Sequence, residues 1–421
     1  MLKQSMPLNT VSARQIPTRA HGFKQRQLRS IFAKPLEKLI GKPITPSEQQ
    51  AQELLDGLWQ GDPLMDQLVD WICEADGKQR KQLFDHALQH GIDDMVDCPQ
   101  PIANFFSMIN QPPAWLDPEQ LNIAQEFMHS IGINANYILK DMALMGGYLL
   151  SGFNQALVLT GALNKNASQR LAETSKWWIE CTAVNGLQRF SNGFKTTVHV
   201  RMIHSLVRRN LQRKAEWKMD ESGLPICQID MAATNLAFCS LFLLGLRGIG
   251  IFPTPRESKA VMHFWKYLGW IMGVDERWLV DTETDGHVLL YHTMLTQSEP
   301  DWTSKALGYA LSQEPLNKHY DKLETLQRKW DYHKRLSISQ FFLGRQKMRL
   351  LGIEQRVLPW YPFMLLPYNA VTYYAQRHVP ILSKRQLQKG RQEQLDYQKG
   401  FGSKGHAIIE PDKKHPAYIG S

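Results

Sequence analysis

Cysteine is scarce in this 421-residue chain, and its five copies (Cys73, Cys98, Cys181, Cys227 and Cys239) lie far apart with no Cys-x-x-Cys among them. That spacing excludes zinc knuckles, thioredoxin-type chemistry and covalent c-type haem attachment. No P-loop, Gly-x-Ser-x-Gly elbow or His-Asp dipeptide occurs, so nucleotide-dependent and hydrolase chemistries lack their usual footing. A single Gly-x-Gly-x-x-Gly, at Gly400, Gly402 and Gly405, sits in a tail with no strand before it and no helix after it, and reads as chance. Hairpin signals are missing too: Asn-Gly and Asp-Gly pairs do not separate alternating apolar runs. The basic N-terminus holds no apolar run long enough for a signal peptide. With the odd, scattered cysteines, this predicts a reducing, cytoplasmic setting.

Acidic residues are rare at the two ends. Residues 1–42 carry nine Lys/Arg against Glu37 alone, and 377–421 carry nine against four acids. The overall +9 therefore hides a body, 43–376, with net charge −4. A nucleic-acid binder is expected to show a basic face through its fold, so nucleic acid is excluded as a partner. The basic ends are expected either to stay solvated or to touch anionic lipid peripherally. The oligomeric state is not legible.

What is present is helical periodicity. Hydrophobic residues make up 43% of the chain and twelve are Trp, enough for a large core. Those Trp suit packing against a flat ligand, and equally any helical core. Thr45-Pro46, Asp62-Pro63 and Asp117-Pro118 each predict a helix start, with proline as the first helical residue. The expected class is all-α. A basic, poorly ordered arm (1–44) precedes an N-terminal helical extension (45–112), a central domain (113–345), a C-terminal helical segment (346–400) and a disordered tail (401–421). Residues 142–164 and 231–246 carry no charge, yet Gly, Ser, Asn, Gln and Thr interrupt both. They are expected inside the fold rather than across a bilayer.

Chemistry concentrates between Asn166 and Arg213. Asn166 with Gln169 predicts a capping box and Asn185-Gly186 a stop. Between them Arg170, Glu173, Thr174, Trp177, Cys181 and Val184 share one stripe. A second helix, from about Asn192-Gly193 to Lys214, aligns Thr197, Arg201, His204, Arg208 and Leu211 beside apolar Val200, Ile203 and Val207. Its β-branched Thr196-Thr197-Val198 run weakens the first turn. Burying an Arg-His-Arg stripe costs on the order of several kcal/mol per ion unless something offsets it. Facing carboxylates would serve. So would a haem, whose iron takes a neutral imidazole and whose propionates accept arginine. By periodicity alone, the plainer description is a surface helix with a solvated arginine edge and a satisfied core histidine.

The combination Arg170-x-x-Glu173-Thr174 and Arg201-x-x-His204-x-x-x-Arg208 resembles the signature of the latex-clearing rubber oxygenase/MpaB oxygenase family. Downstream, Pro225-x-x-Gln228-x-Asp230-Met231, Leu246-Arg247-Gly248-Ile249-Gly250, Trp265-Lys266-Tyr267-Leu268-Gly269 and Gly273-Val274 continue it, so that it spans roughly 115–345. The resemblance implies a globin-like helical core around one non-covalent haem b, with His204 as proximal ligand. It also implies that Arg170, Thr174, Arg201 and Arg208 surround that haem, and that dioxygen or peroxide is a co-substrate. An apolar, isoprenoid or unsaturated lipid-like substrate would follow, with Arg170, Glu173 and Thr174 as the catalytic set. Two departures bear on rubber-type cleavage without removing the haem. Glu173 stands where rubber-cleaving enzymes carry a distal lysine; it can orient water, act as acid or base, or simply pair with Arg170 one turn earlier. Asn154 aligns with a glutamate thought to be a base. A haem-binding sensor or carrier without turnover, and a haem-free, membrane-associated helical interaction protein, are the alternatives.

Other histidines are read as structural. His86 and His90, four apart before Asp93 and Asp94, are expected to face solvent because Gly91 ends their helix. Glu126-x-x-His129 is the lone Glu-x-x-His, whereas a di-iron bundle needs two. His199 and His204, five apart, face different ways.

Overall fold

In a computed structural model, residues 16–29, 33–161, 167–318, 320 and 322–401 are described; among them every regular element is a helix. The N-terminal part comprises Phe23–Arg29 (α1), Ala33–Ile40 (α2), Glu48–Gly57 (α3), Pro63–Glu74 (α4), Gly77–His90 (α5) and Gln100–Ile109 (α6). Pro118–Ser130 (α7) and Asn134–Ile138 (α8) follow, and α8 runs through a π-helical turn, Leu139–Leu144, into Met145–Gly147 (α9). The middle holds Ser151–Leu159 (α10), Ala167–Cys181 (α11), Asn192–Gln212 (α12), Met219–Ser222 (α13), Gln228–Phe238 (α14), Ser240–Gly248 (α15) and Pro255–Met272 (α16). Glu283–Leu295 (α17), Trp302–Ser312 (α18), Glu324–Leu350 (α19), Trp360–His378 (α20) and Pro380–Lys399 (α21) complete the chain.

Local chemistry explains the starts. Asp62 caps α4 by accepting from the Met65 amide, with Pro63 at the first helical position, and Asp117 caps α7 through the Glu119 amide. The start expected at Thr45-Pro46 falls later. Ser47 and Gln50 satisfy each other's backbone amides in a full capping box, so α3 begins at Glu48. Ser191 caps α12, as the Asn192-Gly193 signal suggested to within one residue. The Asn166 end of the other predicted box lies outside the described residues; α11 itself ends at Cys181, before Asn185-Gly186.

Residues 16–29 and 33–44, expected within a poorly ordered arm, include the helices α1 and α2. Arg19, 4% exposed, inserts its guanidinium against Asp230 (Nη1 to Oδ2 3.0 Å), and Arg26 donates to the Leu295 carbonyl. Positive charge here was read as a solvated tail, whereas a buried carboxylate on α14 offsets it. Residues 1–15 and 402–421 lie outside the described residues. Of the two uncharged segments, 231–246 is mostly core, whereas in 142–164 the helix α10 is largely half-buried, with Ser151, Gly152 and Asn154 buried. Gln228–Gly248 is long and apolar enough to cross a membrane but is mostly buried, and the chain bends by 93° between Asn134–Gly147 and α10.

Candidate functional site

The site is built on the pairing of α11 and α12. Gly193 lets them meet: a Cβ there would lie 2.6 Å from the Cys181 Cα and 2.4 Å from the Gly186 carbonyl. Trp177 Nε1 donates to Thr197 Oγ1 at 3.0 Å across this contact. Cys181, sealed in the same interface, has its thiol pushed far above the usual cysteine range by burial, which removes it from nucleophilic chemistry.

One side of α12 is tied to α4. Arg201 grips Asp62 with two bonds (Nε to Oδ2 2.6 Å, Nη2 to Oδ1 2.8 Å) and gives a third to the Ile271 carbonyl. One turn on, Ser205 donates to Asp66 Oδ1 at 2.6 Å and Arg208 pairs with the same carboxylate; after another turn Arg209 meets Asp70 at 2.7 Å. The constant offset of 139 residues between partners 62/201, 66/205 and 70/209 means that the two helices run parallel in register. Gly273, at φ +88°, closes the far side of the first rung; any Cβ there would come within 2.4 Å of Asp62 Oδ2. Arg201 and Arg208, expected to surround or brace a haem, are both buried and paired with the carboxylates of Asp62 and Asp66.

His204 sits between these rungs and shares none of their partners. Burial, then the nearby Arg208 charge, pushes its pKa down to about 4, so the imidazole is neutral near pH 7. Its Nδ1 is sealed from solvent without a hydrogen bond, whereas Nε2, equally unbonded, is not among the sealed atoms. The residue keeps partial accessible surface. Arg208 touches Met231 Sδ, Trp177 packs edge-on against Phe238 (centroids 5.5 Å), and Ile203 and Val207 cluster with Ala156 and Leu159 of α10. So α14 meets the α11–α12 pair at Met231 and Phe238, seven residues or about 10 Å apart along its axis. Between those contacts Thr234 is exposed and Ala237 half-buried.

Arg170 and Thr174 come together elsewhere, on the wall of a cavity of about 130 Å³ that also includes Tyr148, Trp178 and Phe238. His204 is not on this wall; Phe238 is, and it also packs against Trp177. Thr174 is exposed and donates back to the Arg170 carbonyl (3.0 Å), while Arg170 makes no ion pair among the described residues. The expected Arg170–Glu173 pair is therefore absent. Glu173 Oε1 instead accepts from Gln169 Nε2 at 3.2 Å. Asn154 is fully buried, donating to the Tyr148 carbonyl and Ser304, with Oδ1 unpartnered.

Behind the cavity lies a charge cluster that sequence reasoning missed. Lys140 pairs with Glu314, Arg335 with Asp141 (2.8 Å), and Lys334 and Tyr320 with Asp331 (2.7 and 3.0 Å). Lys318 lies 3.7 Å from the centroid of the Tyr397 ring, and the hydroxyl of that tyrosine is sealed without a partner. Lys140-Asp141 inside the apolar run 135–147 was the available signal, because charges embedded in a buried helix require partners. The remaining histidines are structural: His86 and His90 are exposed, His129 bonds the Thr182 carbonyl, and His199 faces Lys195 and Asp85. Among the described residues no three His, Cys, Asp or Glu converge as a metal cluster.

His204 thus offers a neutral imidazole with an unbonded nitrogen, and Arg170, on a separate wall, makes no ion pair among the described residues. Comparison with known proteins bears on the fold and the family. No curated protein matches the chain. A solved structure, "Structure of Latex Clearing Protein LCP in the closed state", superposes with TM-score 0.62 at 16% identity, covering 80% of this chain and 91% of that one, and shows a shared fold. Residues 135–372 match the family described as "ER-bound oxygenase mpaB/B'/Rubber oxygenase, catalytic domain", beginning on α8, taking in α11 and α12 and ending within α20, and the chain belongs to that family.

Proposed function

We propose that this protein is a haem b-dependent oxygenase acting on an apolar, isoprenoid or unsaturated lipid-like molecule, with His204 as the iron ligand. The observation that carries the reading is His204 itself: neutral, with a sealed Nδ1 that has no hydrogen-bond partner, on α12 between the rungs to α4. A core histidine kept for structure normally finds a hydrogen-bond partner, as His129 and His199 do. When bound, the haem supplies the centre at which dioxygen or peroxide is activated.

The protein's own groups take the other roles. Arg170, lacking a carboxylate, is placed to meet an anionic propionate or a developing negative charge. Glu173 is oriented through Oε1 by Gln169, leaving Oε2 to hold or release a proton. Thr174, whose hydroxyl donates to the Arg170 carbonyl, offers an acceptor oxygen on the cavity wall that also includes Arg170. Leu171, Trp178 and Phe238 exclude water and accept an apolar substrate. Arg201 and Arg208 act on the site only by fixing α12, which makes them positioning residues.

The optical spectrum of the purified protein tests the reading. We expect a Soret band after expression with ample haem, and its loss in His204→Ala. A colourless protein would refute the proposal. Steady oxygen consumption with a terpenoid or unsaturated lipid separates an oxygenase from a carrier. Glu173→Gln should lower that turnover by about 10²–10⁴-fold, the usual worth of a general acid or base, and leave the Soret band in place.

A further inference from the structure

The outer face of α20 is unlike the rest of the surface. Pro362, Leu365, Asn369 and Tyr373 turn inward, and the opposite side presents Phe363 (62% exposed), Met364 (62%), Tyr368 (60%), Val371 (70%) and Tyr374 (68%). Beyond the turn at Val379, Ile381 is 65% exposed. Isolated exposed apolar side chains are ordinary, but a continuous stripe along about three helical turns is not.

Its charge pattern says what it meets. From Gln355 to Gln392 the sequence has no acidic residue and six Lys/Arg. Two of these are engaged, Arg377 with Glu257 and Arg391 with the Ile179 carbonyl. Arg356, Lys384, Arg385 and Lys389 are exposed, with only a loose 3.8 Å approach of Lys389 to Glu393. A second copy of the chain would bring cations against cations across a twofold axis. A bilayer with anionic headgroups matches both features: apolar and aromatic side chains enter the headgroup–acyl boundary and flanking cations meet lipid phosphate or carboxylate. Trp330 (59% exposed), packed on Trp360, and the tyrosines of α20 are the amphipathic aromatics favoured at that depth.

We infer that α20 and the start of α21 form a docking face that lays the protein on anionic membrane surfaces, without a spanning helix. This goes beyond the haem reading and does not rest on it. The test is flotation of the purified full-length protein with phosphatidylcholine vesicles, with and without phosphatidylserine. Binding is expected only with phosphatidylserine and should weaken as salt rises. Phe363→Ser with Val371→Ser, and separately Lys384→Glu with Arg385→Glu, should each reduce it at least about tenfold, since each removes one of the two required signals. Circular dichroism of both variants must match the parent, which separates loss of docking from loss of fold. Failure of the parent to float with either vesicle overturns the inference. So does binding that neither variant changes, and so does a dimer that Phe363→Ser with Val371→Ser breaks apart, because the face would then be a self-interface. Because flotation reads binding whether or not haem is present, this outcome is separate from the optical test.

Discussion

Two faces of α12 carry polar groups into the interior and resolve them in opposite ways. Toward α4, Arg201, Ser205, Arg208 and Arg209 meet Asp62, Asp66 and Asp70 rung by rung. Toward α14, His204 meets nothing. Where the fold needs a buried charge it supplies the opposite charge at matching four-residue spacing. Where it leaves a polar atom unmet, its stability does not depend on that atom, and a ligand is the natural candidate to complete it. The contrast assigns structure to the arginines and chemistry to the histidine, although all lie within eight residues.

The sharpest way to break this assignment is to remove one side of a rung. Arg201→Ala leaves Asp62 buried and uncompensated, which costs about 3–5 kcal/mol. Urea unfolding followed by circular dichroism should report a loss of that size, and a variant as stable as the parent would show that Asp62 is not committed to α12. A smaller effect is expected at Lys318. Burial, aided by Arg335, pushes its ammonium down to about 7, against 10.5 for a free lysine. Between these values the unfolded chain binds the proton and the folded chain does not, so this residue makes stability rise with pH from about 7 toward 10. Lys318→Met should flatten that slope in melts recorded across the window and raise stability at its lower end. An unchanged slope would place the ammonium outside the charge cluster.

Helix positions were legible because they depend on short-range chemistry. Asp62-Pro63, Asp117-Pro118 and Ser191-Asn192-Gly193 each satisfy orphan amides with a neighbour in sequence. The stripe Arg201–His204–Arg208 was equally visible, yet its meaning was not. Carboxylates or an anionic cofactor would both suit it, and the choice was made 139 and 142 residues away, at Asp62 and Asp66. The Arg170–Glu173 pair failed for a related reason. Spacing brings two side chains near each other, but the Gln169 amide was as close to Glu173 and took it. Arg19 shows the same limit, since a basic segment reads as solvated until Asp230 on α14 is seen beneath it.

Replacing both partners sharpens the comparison further. Asp62→Leu with Arg201→Met removes the pair without leaving an orphan charge, and such swaps are often neutral or stabilising. Stability within about 1 kcal/mol of the parent is expected, together with an unshifted Soret band. A lost band would restore Arg201 to the cofactor and defeat the division of α12 into two faces.

The smallest effect on the fold belongs to His204, and it is the most informative. Truncating a well-packed ring normally costs about 3 kcal/mol or more through lost contacts and a new cavity. Here the ring keeps partial accessible surface, so fewer contacts are lost. Removing a sealed, unpartnered Nδ1 also relieves a desolvation penalty of about 1–3 kcal/mol. The two contributions nearly cancel. His204→Ala should therefore unfold within about 1 kcal/mol of the parent in haem-free form while losing the Soret band completely. A large loss of stability would mean that the imidazole is a packing element, and the contrast between the two faces would disappear.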